Sequence, residues 1–247
     1  YDSPEDTVLH FDIQRTSELL HGFNDKIYGK SEGLTNLAKD KIIDVVIGGP
    51  PCQAYSIAGR IRDANGMHDD YRNFLFESYM KVVSYFKPKA CIFENVPGML
   101  SASPGGVSIV ERIRNAFDQA GYVISDNLKE EALFDVSDFG IPQKRKRVII
   151  AAFCKDTYKE PTKELANFYR YLNNHKVERP STVQDALGDL PAIFPMKEPK
   201  FRQSHFVECC PQFKILDHIP RFHNERDIDI FRLLAADIES GNEYWIS

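Results

Sequence analysis

The stretch Ile42-Ile43-Asp44-Val45-Val46-Ile47-Gly48-Gly49-Pro50-Pro51-Cys52-Gln53-Ala54-Tyr55-Ser56 decides how this chain reads. Apart from Asp44, residues 42–47 are apolar without interruption, the pattern of a strand buried on both faces of a parallel sheet. Gly48 and Gly49 allow close backbone approach, and Pro50 and Pro51 fix φ and stiffen the turn. Cys52 is carried at the tip. Open α/β sheets hold ligands at the carboxyl ends of their strands, so a rigid thiol there is placed for chemistry. A turn or helix N-terminus would stabilise its thiolate, the reactive form. Read alone, such a cysteine is more often a small buried apolar residue.

The arrangement repeats downstream. Residues 73–86 carry Leu75, Phe76, Tyr79, Met80, Val82, Val83 and Phe86 at helical spacing. Ala90-Cys91-Ile92-Phe93 is a second buried strand, ending at Glu94-Asn95-Val96-Pro97-Gly98. A sheltered carboxyl at Glu94 can donate a proton, or simply cap the next turn. Residues 108–120 form an amphipathic helix, with Ile109, Val110, Ile113, Ala116 and Phe117 on one stripe and Gly121 suited to its C′ position. Tyr122–Ser125 opens a strand. Gln143-Lys144-Arg145-Lys146-Arg147 runs straight into Val148–Phe153, which suggests a hairpin at a sheet edge. Arg145 and Arg147 are two apart, so on an extended strand they share a side and can fork a phosphate or a base carbonyl. They also suit a solvated edge strand guarded by charge.

Upstream, Val8–Ile13 reads as a short strand ending in Asp12, a ligand for an adenosine amino or hydroxyl group or else an ordinary strand-end residue. Residues 57–70 form a Gly-containing loop, either a lid or a surface loop. After Phe153 the character changes, so a boundary is expected near 155, with residues 1–155 as the core and 156–247 as an irregular region. The last clear helix spans about 225–238, capped by Asn224 and carrying Ile228, Phe231, Leu234, Ala235 and Ile238 on one face.

The 247 residues suffice for one large domain, or one domain and a smaller piece, and 43% are hydrophobic. No apolar run approaches the roughly 18 residues of a membrane span, and the polar, acidic start excludes a secretory signal. Five scattered cysteines without a CxxC pair argue against a disulfide framework and for an intracellular setting. His205, Cys209, Cys210, His218 and His223 fit no tetrahedral metal spacing, so no metal is expected. The net charge of −5 excludes a protein that coats nucleic acid with its whole surface, but not a local basic cleft.

Gly48-Gly49-Pro50-Pro51-Cys52-Gln53, Glu94-Asn95-Val96 and Gln143-Lys144-Arg145-Lys146-Arg147 stand in the order and rough spacing of the DNA cytosine-5 methyltransferase family, which this chain resembles over about residues 8–153. Asp70–Phe76, Phe139-Gly140-Ile141-Pro142 and residues 181–191 also resemble it. The resemblance implies an α/β fold, a Rossmann-like, mostly parallel AdoMet-methyltransferase sheet with helices on both faces, followed by a partial target-recognition region. It implies methyl transfer from S-adenosylmethionine to carbon 5 of cytosine in double-stranded DNA, as in bacterial restriction-modification. The setting would then be cytoplasmic.

By the same resemblance, Cys52 would be the nucleophile, Glu94 would act on ring nitrogen 3, and Arg145 and Arg147 would hold the base carbonyl and nearby phosphate. Asp12, Ile13, Pro51 and Leu75 would line the cofactor site. Gln53, Ser56, Asn95 and Gln143 would contact substrate. The target base must be flipped out of the duplex. The Gly-rich loop and acidic strand end that precede Asp12 in the family are not seen, nor are its late motifs, so the chain reads as cut at both ends. Methylation of tRNA cytosine and a non-catalytic nucleic-acid-binding role are the alternatives.

Overall fold

Alternating buried strands and amphipathic helices build the protein from its central sheet outward. The structure, a computed structural model, describes residues 8–39, 41–51, 75–103, 106–191, 193–194, 207–208 and 223–241. The first elements are helix α1 (Thr16–His21), a hairpin of β1 (Phe23–Asp25) and β2 (Gly29–Ser31), and helix α2 (Gly33–Leu37). The expected strand at Val8–Ile13 is absent: residues 8–12 are irregular. Phe11 instead stacks on Phe23 with ring centroids 3.9 Å apart, and the Asp12 carboxylate accepts the Gln14 N–H at 2.9 Å. Local contacts hold that segment where a neighbouring strand was expected.

The sheet follows, with β3 (Val45–Gly48), helix α3 (Leu75–Phe86), β4 (Ala90–Asn95), helix α4 (Ile109–Gln119), β5 (Tyr122–Val123), helix α5 (Leu128–Glu131), β6 (Leu133–Asp135) and β7 (Lys146–Cys154). Its order is β3-β4-β7-β5, and β6 also pairs with β7. The β3–β4 pair is parallel, whereas β7 runs antiparallel to β4, β5 and β6. Among the described strands β3, β4, β5 and β6 therefore run the same way, as a mostly parallel sheet requires, and β7 alone runs against them and makes the sheet mixed. Nor is β7 an edge. β4 lies along one side of it, and β5 and β6 share the other, interrupted by α5. The expected hairpin at the basic run does form, between β6 and β7.

Register assigns the two faces. Val46, Cys91, Phe93, Asn95, Val148, Ile150 and Ala152 share one face. There Tyr79 and Val83 of α3 and Ile113 and Phe117 of α4 complete the core. Helix α6 (Pro161–Asn174) packs against β7, where the Tyr169 hydroxyl donates to Ile149 O (3.1 Å) and accepts from Ala151 N–H (3.2 Å). Helices thus cover both faces. The strand read at residues 42–47 is less buried than expected, with Val45 48% and Ile47 74% exposed. Among the described residues β3 is the outer strand, paired with β4 alone.

The first compact unit runs through residue 183, and the second comprises residues 184–247. The first continues past 155 because Leu165 and Tyr169 are buried in its core. In addition, Val177 N–H donates to Asp138 O at 2.8 Å. Val183–Leu187 forms helix α7. The second unit includes strands β8 (Ile193–Phe194) and β9 (Val207–Glu208) and helix α8 (Glu225–Ser240). Asn224 caps α8 as expected, its Oδ1 accepting the Asp227 N–H at 2.9 Å. The apolar stripe of that helix is exposed, Phe231 at 51% and Ile238 at 81%. Among the described residues no helix is long and apolar enough to cross a membrane.

Candidate active site

The carboxyl ends of β3 and β4 lie side by side because the strands are parallel and in register, Gly48 opposite Phe93. Beyond that pair, Gly49 meets Glu94. A Cβ built on Gly49 would lie 2.9 Å from Glu94 Oε2, so a larger residue there would make the carboxylate end shift. The close approach expected at Gly48-Gly49 is thus made, at Gly49, by Glu94 itself.

Arg147 holds the other carboxylate oxygen. Its Nε lies 2.8 Å from Glu94 Oε1, with 18% of the Arg147 side chain and 40% of the Glu94 side chain exposed. Its guanidinium also donates to Lys146 O at 2.7 Å. A carboxyl oriented by a guanidinium and still open to solvent can, when it carries a proton, donate to a ring nitrogen, while the planar donor fork can meet a carbonyl or phosphate. Arg145 is not brought into this pair. It precedes β7, is exposed, and its backbone N–H donates to Asp135 Oδ1 at 3.2 Å.

Asn95, 3% exposed, faces the opposite side of the sheet. Its Oδ1 accepts the Val96 N–H at 2.8 Å and its Nδ2 donates to Pro50 O at 3.4 Å. The amide therefore ties the end of β4 to the Pro50-Pro51 turn. Pro51 is exposed and is the last described residue before the expected nucleophile. Cys52, Gln53 and Ser56, and the loop expected to act as a lid, lie outside the described residues. Gln143 is exposed in the turn before β7, its N–H donating to Ile141 O at 2.7 Å.

The residues expected at a cofactor site are more scattered. Asp12 and Ile13 are half-buried just ahead of α1, and Ile13 O accepts the Thr16 hydroxyl at 2.7 Å. Leu75 is 7% exposed in the first turn of α3. Of the candidate metal ligands, only His223 is described, and it packs edge-on against Phe231. Among the described residues no cluster of His, Cys, Asp and Glu is grouped to hold a metal ion.

Tyr79 was read only as one position of an apolar helical stripe. Its hydroxyl lies 3.1 Å from Val46 O and 3.2 Å from Ile92 O. The available signal was a hydroxyl on an otherwise apolar face, which needs a polar partner once buried.

The chain is 35% identical over 220 residues to the type II methyltransferase M.Bpa9945I of Bacillus paralicheniformis, covering 81% of this chain and 47% of that protein. It is 34% identical over 177 residues to the type II methyltransferase M.AquIA of Picosynechococcus sp., covering 67% of this chain and 68% of that one. A solved structure described as a DNA modification methyltransferase encoded within an E. coli prophage matches 75% of this chain and 42% of its own, at 27% identity and a TM-score of 0.47. The chain spans about half the length of M.Bpa9945I. The family model for C-5 cytosine-specific DNA methylase matches residues 18–219, and this chain belongs to that family.

Proposed function

We propose that the intact protein methylates carbon 5 of cytosine in double-stranded DNA, using S-adenosylmethionine, through a covalent adduct between Cys52 and a flipped-out base. The observation that carries this reading is the Glu94–Arg147 pair, held against Gly49 where β3 turns toward Cys52. Family membership supports the same reaction class.

Carbon 5 of cytosine is a weak nucleophile. Addition of the Cys52 thiolate to carbon 6 makes carbon 5 an enamine terminus, and negative charge builds toward ring nitrogen 3 and the carbonyl oxygen. Glu94, on taking up a proton from solvent, donates it in a hydrogen bond to nitrogen 3, and Arg147 holds the carbonyl oxygen. Their ion pair keeps both groups oriented before the base arrives, so little reorganisation is left for the reaction itself. Loss of the carbon 5 proton and departure of the Cys52 thiolate then restore the aromatic ring.

S-Adenosylmethionine, when bound, supplies an electrophilic methyl group. In this reading Asp12, Ile13, Pro51 and Leu75 would hold that donor. Asp12 presents a carboxylate fixed by the Gln14 N–H and set beside the apolar Ile13, as suits adenosine. Pro51 is exposed at the strand end, where a methyl donor and a base would meet. In this reading Gln53, Ser56 and Gln143 contact the DNA, Asn95 braces the turn, and residues 184–247 begin the target-recognition part. Type II methyltransferase relatives favour a restriction-modification role.

The test is methyl transfer by the intact protein to duplex DNA and to tRNA, with the product bases identified after digestion. Labelled 5-methylcytosine from DNA, abolished by Cys52→Ala, is the expected result. Transfer to tRNA alone, or to neither, would contradict the proposal.

A further inference from the structure

We infer that Tyr79 is a positioning residue for this site: its buried hydroxyl, bridging Val46 O and Ile92 O, sets the spacing between the turn that carries Cys52 and the Glu94 carboxylate. The inference rests on the proposed methyl-transfer reaction and adds a residue to its machinery.

Tyr79 is 3% exposed, so it touches neither base nor methyl donor. It is anchored at both ends. At one end its hydroxyl lies 3.1 Å from Val46 O on β3 and 3.2 Å from Ile92 O on β4. At the other its ring lies against Gly48, where a Cβ would come within 2.5 Å of the ring carbon Cδ2. Phe93 and Phe117 pack edge-on against the same ring, at 5.4 and 6.5 Å between centroids. Both bonded carbonyls stand two residues before a working position: Val46 before Gly48 and the turn, Ile92 before Glu94. One side chain therefore fixes the height of both strand ends from beneath the sheet. Register places Glu94 on the face opposite Phe93, so the carboxylate works above the sheet while Tyr79 braces it from below. Gly48 and Gly49 divide two tasks, one admitting the Tyr79 ring and the other admitting the Glu94 carboxylate.

Reaction rate depends steeply on such spacing, since a displacement of about 1 Å can cost roughly a hundredfold. Tyr122 supplies a matched control. It is also buried, and its hydroxyl also donates to a backbone carbonyl, that of Pro88 at 2.7 Å, at the opposite end of the strands from Glu94.

The experiment compares wild type, Tyr79→Phe and Tyr122→Phe in the intact protein, measuring kcat, both KM values and Tm. We expect both variants to lose a similar amount of Tm. Tyr79→Phe should lose about tenfold or more in kcat, with KM for DNA and for the methyl donor within about twofold because it touches neither. Tyr122→Phe should keep its kcat. Gly48→Ala, which pushes on the ring but leaves the hydroxyl, should reproduce the kcat loss and keeps the question open to measurement if Tyr79→Phe folds poorly. Unchanged kcat in Tyr79→Phe, or an equal fall in both tyrosine variants, overturns the positioning role. A wild-type protein that transfers no methyl group overturns the reaction reading beneath it.

Discussion

Arg147 and Glu94 make one ion pair, and its partial exposure decides what it is for. With 40% of the Glu94 side chain open to solvent, the pair contributes on the order of 1 kcal/mol or less to stability. Arg147→Ala should therefore shift Tm by a few degrees at most, while cutting methyl transfer by about a hundredfold or more, the scale of losing one oriented donor. A Tm loss large enough to explain the activity loss would argue for a structural role instead. Gly49→Ala, whose methyl group would lie 2.9 Å from Glu94 Oε2, should cost less activity than Arg147→Ala, because the end of that flexible side chain can shift aside. The cysteines provide an independent check at this scale. Burial pushes the Cys91 thiol up to about 12, chiefly by desolvation. In native protein near pH 8, iodoacetamide should modify Cys52 and leave Cys91 unmodified, as peptide mapping would show. Labelling of Cys91 at the faster rate would contradict this assignment.

At the scale of elements, the β6–β7 hairpin carries Arg147 into the sheet, and Asp135 organises its turn. Hydrogen bonds from the Ser137 hydroxyl, the Ser137 N–H and the Arg145 N–H hold the Asp135 carboxyl below the usual carboxylate range. A depressed folded value stabilises at pH above the unfolded value, and that stabilisation is lost as pH falls through the folded one. Asp135→Asn should lower Tm at neutral pH, and the difference should close as the solution is acidified through the carboxylate range. A difference independent of pH would refute the ionic contribution. Gly121, at φ +86° after α4, has nothing within 4 Å of a built Cβ. Gly121→Ala should cost about 1–2 kcal/mol from backbone strain alone, readable by denaturant unfolding.

The helices were largely legible in the sequence, because apolar spacing reports burial directly. Leu75–Phe86 and Ile109–Gln119 emerged close to the expected limits, with Gly121 at the C′ position. Strand direction was only partly legible. An apolar run such as Val148–Phe153 looks the same whether its neighbours run with it or against it. The hairpin of β7 with β6 was legible from the basic run before it, but its antiparallel pairing with β4 was not. Apolar content also misled at Val45 and Ile47, since it marks what can be covered rather than what is covered. Glu94 and Arg147 were legible as candidates from their places at a strand end and a strand start, each beside a bland reading that the resemblance alone outweighed. Their pairing depends on register across β4 and β7, which no local pattern encodes. Tyr79 escaped notice because hydroxyl partners belong to the backbone of other elements.

For the whole molecule, a net charge of −5 must coexist with the exposed basic run of Lys144, Arg145 and Lys146. Self-repulsion from DNA is avoided if the acidic charge lies elsewhere and phosphates meet only this run. Arg145→Ala should then weaken DNA binding and reduce the slope of log affinity against log salt by about 0.9, one phosphate contact. An unchanged slope would remove Arg145 from the interface. The central claim concerns Cys52, the residue that follows the described Pro50-Pro51 turn in sequence. Its most direct measurement is trapping by the intact protein, with S-adenosylmethionine, on duplex DNA containing 5-fluorocytosine, where fluorine at carbon 5 blocks the proton loss that frees the enzyme. The account predicts a denaturant-stable protein–DNA adduct that mass spectrometry maps to Cys52, and that Cys52→Ala abolishes. Methyl transfer to DNA with no adduct, or an adduct at another residue, would contradict it.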